Sequence, residues 1–388
     1  MRVAYICADP GVPVFGTKGS SVHVQEIVRA WRTAGAGVTV YCARRGTDRP
    51  EDLEDLDVVE VPPAPGPVRE QALEDAALSM VDQVLRQGCG LVYERYSLFS
   101  PALAVLARVL DIPSVLEVNA PLIEEQQKYR QLLDVKKAET ILRRNAGTAG
   151  VVACVSEPVV RWVHERVPGA RTVLAPNGVN ARRITARRPG RRNPDHLTVA
   201  FVGTLKPWHG VPDLLRAVAL ANSTAPDPAS RWAVRIIGDG PGRPELERLA
   251  GSLGIRAEFT GAVRPADVPA LLHECDAAAA PYPSDEERHD DYFSPLKVYE
   301  YMAAAMPIIA SSVGQIPSIL ENGRTGLLVP PSEPAALAAA LTRLAGDPAL
   351  RADLGGRARD DAEKRFSWDR VLARITAALP VPRQVAWP

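Results

Sequence analysis

The stretch RVAYICADPGVPVFGTKGSSVHVQEIVRAWRTAGAGVTVYC, residues 2–42, decides the fold class. Residues 2–7 are a short apolar run that reads as a strand. Val24, Ile27, Val28 and Trp31 then recur at helical spacing, and residues 37–42 read as a second strand. Strand, helix, strand in that order is a βαβ unit, whose strands lie parallel. The loop between the first strand and the helix carries Gly16, Thr17, Lys18, Gly19, Ser20 and Ser21. Glycines there let a ligand approach the backbone, and the helix start offers N–H groups to an anion. Gly11 and Gly16 followed by Lys18 come near a P-loop, but Thr17 intrudes and no Ser or Thr follows the lysine directly. A P-loop is rejected; an ordinary βα turn remains the alternative to an anion site.

Further apolar runs follow at 57–61, 91–93, 114–118, 151–155 and 172–175, with helical stretches such as 69–87 and 100–110 between them. Residues 181–196, ARRITARRPGRRNPDH, hold six arginines and two prolines without apolar periodicity. They read as a solvated linker rather than a nucleic-acid patch. The alternation then restarts: strand 198–203, helix 211–221, strand 233–237, helix 243–253, strand 256–259, helix 266–273, strand 276–280, helix 296–304 and strand 307–310. A last helix is expected over 367–379, with Ser367 as a candidate cap. Two doubly wound α/β halves follow, 1–180 and 197–366, with 367–388 crossing back to the first half. Ligands bind open parallel sheets at their strand C-termini, so a central cleft between two facing domains is the expected site.

Size and composition agree. A chain of 388 residues suits two cores better than one. With 46% hydrophobic and 24% charged residues it is globular, and a net charge of zero gives no broad basic field for nucleic acid. No run reaches the roughly 18 apolar residues of a spanning helix, and the N-terminal strand is broken too soon by Asp9 and Pro10 for a signal peptide. Cys7, Cys42, Cys89, Cys154 and Cys275 are scattered and odd in number, which fits buried free thiols in a reducing compartment. A cytoplasmic protein without a transmembrane segment is expected; oligomeric state is left open.

Three loops at strand ends carry chemistry. Val202-Gly203-Thr204-Leu205-Lys206-Pro207-Trp208-His209-Gly210 offers Lys206 and His209 to a phosphate, with Trp208 packing the turn. Gly238-Asp239-Gly240-Pro241-Gly242 reads as a tight turn. In Asp291-Tyr292-Phe293-Ser294-Pro295-Leu296-Lys297-Val298-Tyr299-Glu300 a helix starting near Leu296 would be capped by Ser294 and aim its amides at an anion. Glu300, one turn past Leu296 on the same face, is placed to accept from a ribose diol.

The ordered set FVGTLKPWHG, RIIGDGPG, EFTGAV, YFSPLKVYEYMAAAMPIIAS and VGQIPSILENGRTGLLV resembles family-four retaining glycosyltransferases of the GT-B fold. GTKGSSVH, VACVSEPV, LAPNGVN and FSWDRV extend the resemblance over nearly the whole chain. It implies two Rossmann-like domains and nucleotide-sugar chemistry without a metal or other cofactor. By position it implies that Gly19 and Gly203 lie by the donor, and that Lys206 and His209 hold the diphosphate although Thr204 takes the usual arginine place. Val263 and Arg264 would border the base, Ser294, Pro295 and Leu296 the diphosphate, and Glu300 the ribose. Tyr292, with Asp291 beside it, replaces the first glutamate of the family's Glu-x7-Glu motif. Asn119 falls near the place of a first-domain histidine common in the family, and is taken with Lys206 and His209 as a catalytic candidate.

A diphosphate leaving group develops negative charge, which cations and amide dipoles stabilise. The expected activity is retaining transfer of a hexose-type sugar from an NDP-sugar, UDP by default, to a small-molecule acceptor or glycan. Abundant Ala, Arg, Gly and Pro point to a GC-rich bacterial source and natural-product or glycoconjugate biosynthesis. The acceptor is expected against Tyr93, Glu94, Arg95, Glu117, Asn119, Glu124 and Glu125, whose acids suit a cationic molecule such as an amino-sugar. Asp55-Leu56-Asp57 is discounted as a metal motif, and the acidic residues Asp285, Glu286, Glu287, His289 and Asp290 read as a flap rather than a metal site. An epimerase or hydrolase of the same fold, and a non-catalytic nucleotide binder, are the competing functions.

Overall fold

The computed structural model describes residues 1–65, 68–187, 193–283 and 292–380. It divides into two compact units, Met1–Asn177 with Trp368–Pro388, and Gly178–Ser367. The first unit runs β1 (Arg2–Cys7), α1 (Gly19–Thr33), β2 (Gly37–Cys42), β3 (Asp57–Glu60), α2 (Arg69–Gln87), β4 (Leu91–Arg95), α3 (Ala102–Leu110), β5 (Ser114–Val118), α4 (Leu122–Tyr129), α5 (Val135–Thr148), β6 (Val151–Cys154), α6 (Glu157–Arg166) and β7 (Thr172–Leu174). The second runs β8 (Leu197–Val202), α7 (Val211–Ser223), β9 (Trp232–Ile237), α8 (Arg243–Ser252), β10 (Ala257–Gly261), α9 (Val268–His273), β11 (Ala277–Ala280) and α10 (Leu296–Ala303). It continues through β12 (Ile308–Ser311), α11 (Ile316–Ile319), β13 (Leu327–Val329), α12 (Pro334–Gly346) and α13 (Pro348–Arg365). Finally α14 (Trp368–Ala377) rejoins the first unit, where it packs on α1.

Each unit holds one parallel sheet, ordered β3-β2-β1-β4-β5-β6-β7 in the first and β10-β9-β8-β11-β12-β13 in the second. Parallel strands need crossovers, so helices cover both faces and central strands become apolar throughout. The four alanines of β11 are completely buried. Alternation still sorts residues by face: Leu197, Val199 and Phe201 of β8 join one core with α7 and α12, whereas Ala200 joins another with α10. The order reverses direction between β1 and β4, and again between β8 and β11. At such switch points neighbouring crossovers leave to opposite faces and open a crevice at the strand C-termini.

The connector departs from expectation. Ile184 is 1% exposed within the second unit's core, and the buried Arg187 pairs with the buried Asp276 at 3.2 Å. Asp276, leading into β11, also accepts from the Thr198 amide, and so buried a carboxylate requires a counter-charge. Residues 181–187 are therefore part of the second unit's packing, not a solvated strap. The five cysteines are free, Cys89 being half-buried and the others buried. Among the described residues no helix is long and apolar enough to cross a membrane.

Candidate functional site

In the second unit the switch point is built from three segments. After β8, Gly203 turns the chain with φ +146°. The next residues are braced from behind: the Leu205 amide donates to Asp239 O, and Leu205 O accepts from the Gly242 amide. The 238–242 glycine turn thus supports the β8 loop, and a Cβ on Gly240 would meet Leu205 N at 2.6 Å. Pro207-Trp208-His209 form a single tight turn that leads into α7. His209 Nδ1 lies 2.5 Å from Thr204 O, so Nδ1 donates to that carbonyl. The His209 ring stands 6.0 Å from Phe201 and 5.8 Å from Tyr282, which follows β11. Lys206 leans the other way, with its Nζ 5.5 Å over Trp208. Trp208 is 37% exposed, so it does not pack the turn as expected but offers its face to Lys206.

Helix α10 is the third segment. Its start at Leu296 matches the sequence reading, but Ser294 does not cap it. The N-cap is Pro295, without a side-chain bond, and Ser294 Oγ lies instead 3.4 Å from the Tyr299 hydroxyl. Proline terminates the preceding extended chain and so displaces the serine by one residue. The helix is pinned to the switch point by Tyr301, whose hydroxyl accepts from the Val202 amide at 2.8 Å and lies 3.4 Å from Ala279 O. Lys297, Val298, Tyr299, Tyr301, Met302 and Ala303 are buried, which leaves Leu296 and Glu300 as a half-exposed stripe one turn apart. First-turn amides have no acceptor within their own helix. Tyr292, Phe293 and Ser294 are half-buried just before it, and Asp291 lies outside the described residues, as do 285–290.

The sequence reading missed Lys297. It enters from the first turn of α10 with 8% exposure, and its Nζ has no hydrogen-bond partner among the described residues. That atom lies 3.9 Å over the Phe201 ring and 5.1 Å from the Tyr282 ring. A Cβ on Gly203 would stand 3.0 Å from it. Burial drives the ammonium down to about 7, the Glu300 carboxylate resisting. Its place in the buried stripe with Tyr301, i and i+4, was the available signal. Val263 and Arg264 follow the edge strand β10, and the Arg264 guanidinium is held by Asp267 at 2.8 and 3.0 Å.

In the first unit the strand ends converge on Glu117. Its Oε2 accepts from the Tyr93 hydroxyl at 2.6 Å, and its Oε1 from Arg95 at 3.1 Å and from the Asn119 amide. His23, from α1, brings Nε2 to 2.6 Å from Glu117, while its Nδ1 lies 2.8 Å from Asn177 Oδ1. The ring of Trp368 in α14 closes edge-on at 4.9 Å. Burial pushes the Glu117 carboxyl upward, but the His23 and Arg95 charges and the Tyr93 hydroxyl outweigh it and hold it at about 2. Gly19 is the exposed first residue of α1. His23 and Asn177 were not singled out from sequence, because 154 residues separate the pair.

The acids expected to face an acceptor have partners inside the first unit. Glu94 is completely buried and accepts from the Leu103 amide at the start of α3; Tyr93 is equally buried. Glu124 accepts from the Trp162 indole and pairs with Arg166. Glu117 and Glu124 thus face cations of their own unit, His23 and Arg95 for the first and Arg166 for the second, while Glu94 is buried against a helix start. Asp55 pairs with Arg32, and Asp57 accepts from Thr39.

Known proteins align with both units. The profile described as "Glycosyltransferase Family 4" matches residues 17–183, and that described as "Glycosyl transferases group 1" matches 196–347. A D-inositol 3-phosphate glycosyltransferase of Actinosynnema mirum is 33% identical over 229 residues, covering 56% of this chain and 53% of that protein. One from Streptomyces avermitilis is 36% identical over 200 residues, covering 49% and 42% respectively. The chain thus spans about half the length of the curated relatives it matches. Among solved structures, sucrose-phosphate synthase from Thermosynechococcus elongatus superposes with TM-score 0.71 at 21% identity over 97% of this chain and 98% of that one. Anabaena HepE, solved in complex with UDP and glucose, gives 0.71 at 19% over 98% and 99%. At those identities the likeness is one of fold.

Proposed function

We propose, from the premise that this chain is a family-four glycosyltransferase of the GT-B fold, that it moves a hexose-type sugar from a UDP-sugar to a small acceptor with retention at the anomeric carbon. The observation that carries this reading is the second unit's switch point. There an uncapped helix start, half-exposed Leu296 and Glu300, and the Gly203–Gly210 turn meet at the C-terminal ends of β8 and β11. The α10 amides with Ser294, Pro295 and Leu296 receive the diphosphate, and Glu300 accepts from the ribose hydroxyls. Val263 and Arg264 border the base, and Gly203 gives the donor close backbone approach. The UDP in the HepE complex supports uracil as the base.

The acceptor hydroxyl attacks the anomeric carbon on the face that the phosphate leaves. The C–O bond to the β-phosphate breaks, and the acceptor's proton passes to the departing phosphate oxygen. Lys206 and His209 stabilise the charge that grows on that oxygen, so each contributes most in the transition state. No bound metal enters this scheme. Asn119 and Arg95, held by Glu117, orient the acceptor. The relatives act by name on an inositol phosphate, which supports a polyol acceptor over the cationic one expected from loop acids. A bacterial cytoplasm and a natural-product or glycoconjugate pathway complete the proposal.

Incubation with UDP-, GDP- and dTDP-sugars, with and without polyol acceptors, tests it. Sugar transfer only when acceptor is present is the expected result. Release or epimerisation without acceptor indicates the hydrolase or epimerase; donor binding without turnover indicates a non-catalytic binder, the reading that Tyr292 in place of a glutamate favours.

A further inference from the structure

We infer that the Lys297 ammonium is a phosphate-holding group of the donor site, reaching the nucleoside diphosphate from beneath the start of α10. This rests on the proposed function and adds to it a cation that none of the expected site residues supplies.

An ammonium has three N–H donors and no acceptor of its own. Lys297 Nζ is buried, and among the described residues all three are unpaired. The Phe201 and Tyr282 rings, at 3.9 and 5.1 Å, offer it their faces, which stabilises positive charge but accepts no hydrogen bond at ordinary strength. A lysine kept only for packing would extend its head to water along the apolar stem. This one is held inward, against Gly203, at the place where a Cβ would stand 3.0 Å from Nζ. The bare glycine backbone, the first-turn amides and the unpaired ammonium therefore converge at the second unit's switch point. An oxyanion there satisfies donors that the protein leaves unmet. Lys206, by contrast, lies over Trp208.

The ammonium's depression to about 7 has a consequence for binding. Ionisable groups around it are Glu300 and Tyr301 on its own helix, Tyr282 after β11 and His209 in the turn after β8; Phe201 and Gly203, which it also approaches, do not titrate. A diphosphate beside Nζ favours the charged form, so binding takes up a proton above pH 7. Affinity is therefore highest near neutrality and falls as pH rises toward 9, where the phosphates are already fully ionised.

Calorimetric titration of UDP, UDP-glucose and uridine into the wild type and Lys297→Met decides the matter, together with thermal unfolding of both. The expected result is at least tenfold weaker UDP binding in the variant, unchanged uridine binding, an unchanged or higher Tm, and loss of the wild type's decline between about pH 7 and pH 9. Equal UDP affinity in the two proteins overturns the inference. Equal weakening of uridine with a lower Tm also overturns it, since that is what a packing role produces. Weakening confined to UDP-glucose overturns it in favour of a sugar contact. A wild type that binds no UDP, GDP or dTDP instead overturns the proposed function itself, and this inference with it.

Discussion

Glu300 is half-buried one turn from the start of α10, and in the proposed function its carboxylate is the group that accepts from the ribose. Hydrogen bonds to charged groups contribute about 1.5–3 kcal/mol, and Glu300→Ala is expected to weaken UDP binding by at least 1 kcal/mol, read by calorimetry. Unchanged affinity removes the role. Glu94 makes a different prediction. Burial raises it to about 8, its bonds to Ser100 and the Leu103 amide pulling the other way. An acid raised above its unfolded value binds more protons when folded, so its contribution to stability is present at low pH and is lost as pH rises from about 4.5 toward 8. Glu94→Gln should flatten that part of the stability–pH curve, as followed by denaturant unfolding; an unaltered slope contradicts it. At this scale Glu300 and Glu117 were legible as polar residues at strand and helix ends. Lys297 was not taken up, because one lysine in a near-apolar run reads as a solvated face until the helix phase is known.

Elements were legible to within a residue or two where an apolar run had a clear turn signal beside it, as for Arg2–Cys7, Gly37–Cys42, Ser114–Val118 and Arg69–Gln87. Caps were harder. Ser294 has the right chemistry, yet proline at the next position moves the boundary past it. The glycine turns show the same limit, since their role depends on a neighbour distant in sequence. Gly210 has φ +67°, and a Cβ on it would lie 1.6 Å from Pro281 O at the end of β11. Gly210→Ala must therefore separate α7 from β11 and adopt an unfavourable backbone conformation. A loss of about 1–3 kcal/mol is expected from the backbone alone, with more from the clash. An unchanged Tm would show that the turn has room.

For the whole molecule, a restart of the strand–helix alternation after residue 196 was enough to read two α/β halves. Nothing local announced that residues 181–187 belong to the second, because that follows from a long-range pair, Arg187 with Asp276, and from the burial of Ile184. The return of α14 to the first unit is equally non-local. Val371, Leu372 and Ile375 are buried there and Trp368 closes on His23. A chain ending at Ser367 should lose this cover, so hydrogen exchange should rise in α1 and leave β8–β13 unchanged. Uniform exchange across both units would contradict the division.

The most direct measurement is a crystal structure of the protein grown with UDP. The diphosphate is predicted at the start of α10, within hydrogen-bonding reach of the Leu296 and Lys297 amides and of Lys297 Nζ, with the ribose hydroxyls on Glu300. UDP bound away from the β8 and β11 ends, or a vacant α10 start at saturating UDP, would contradict the account.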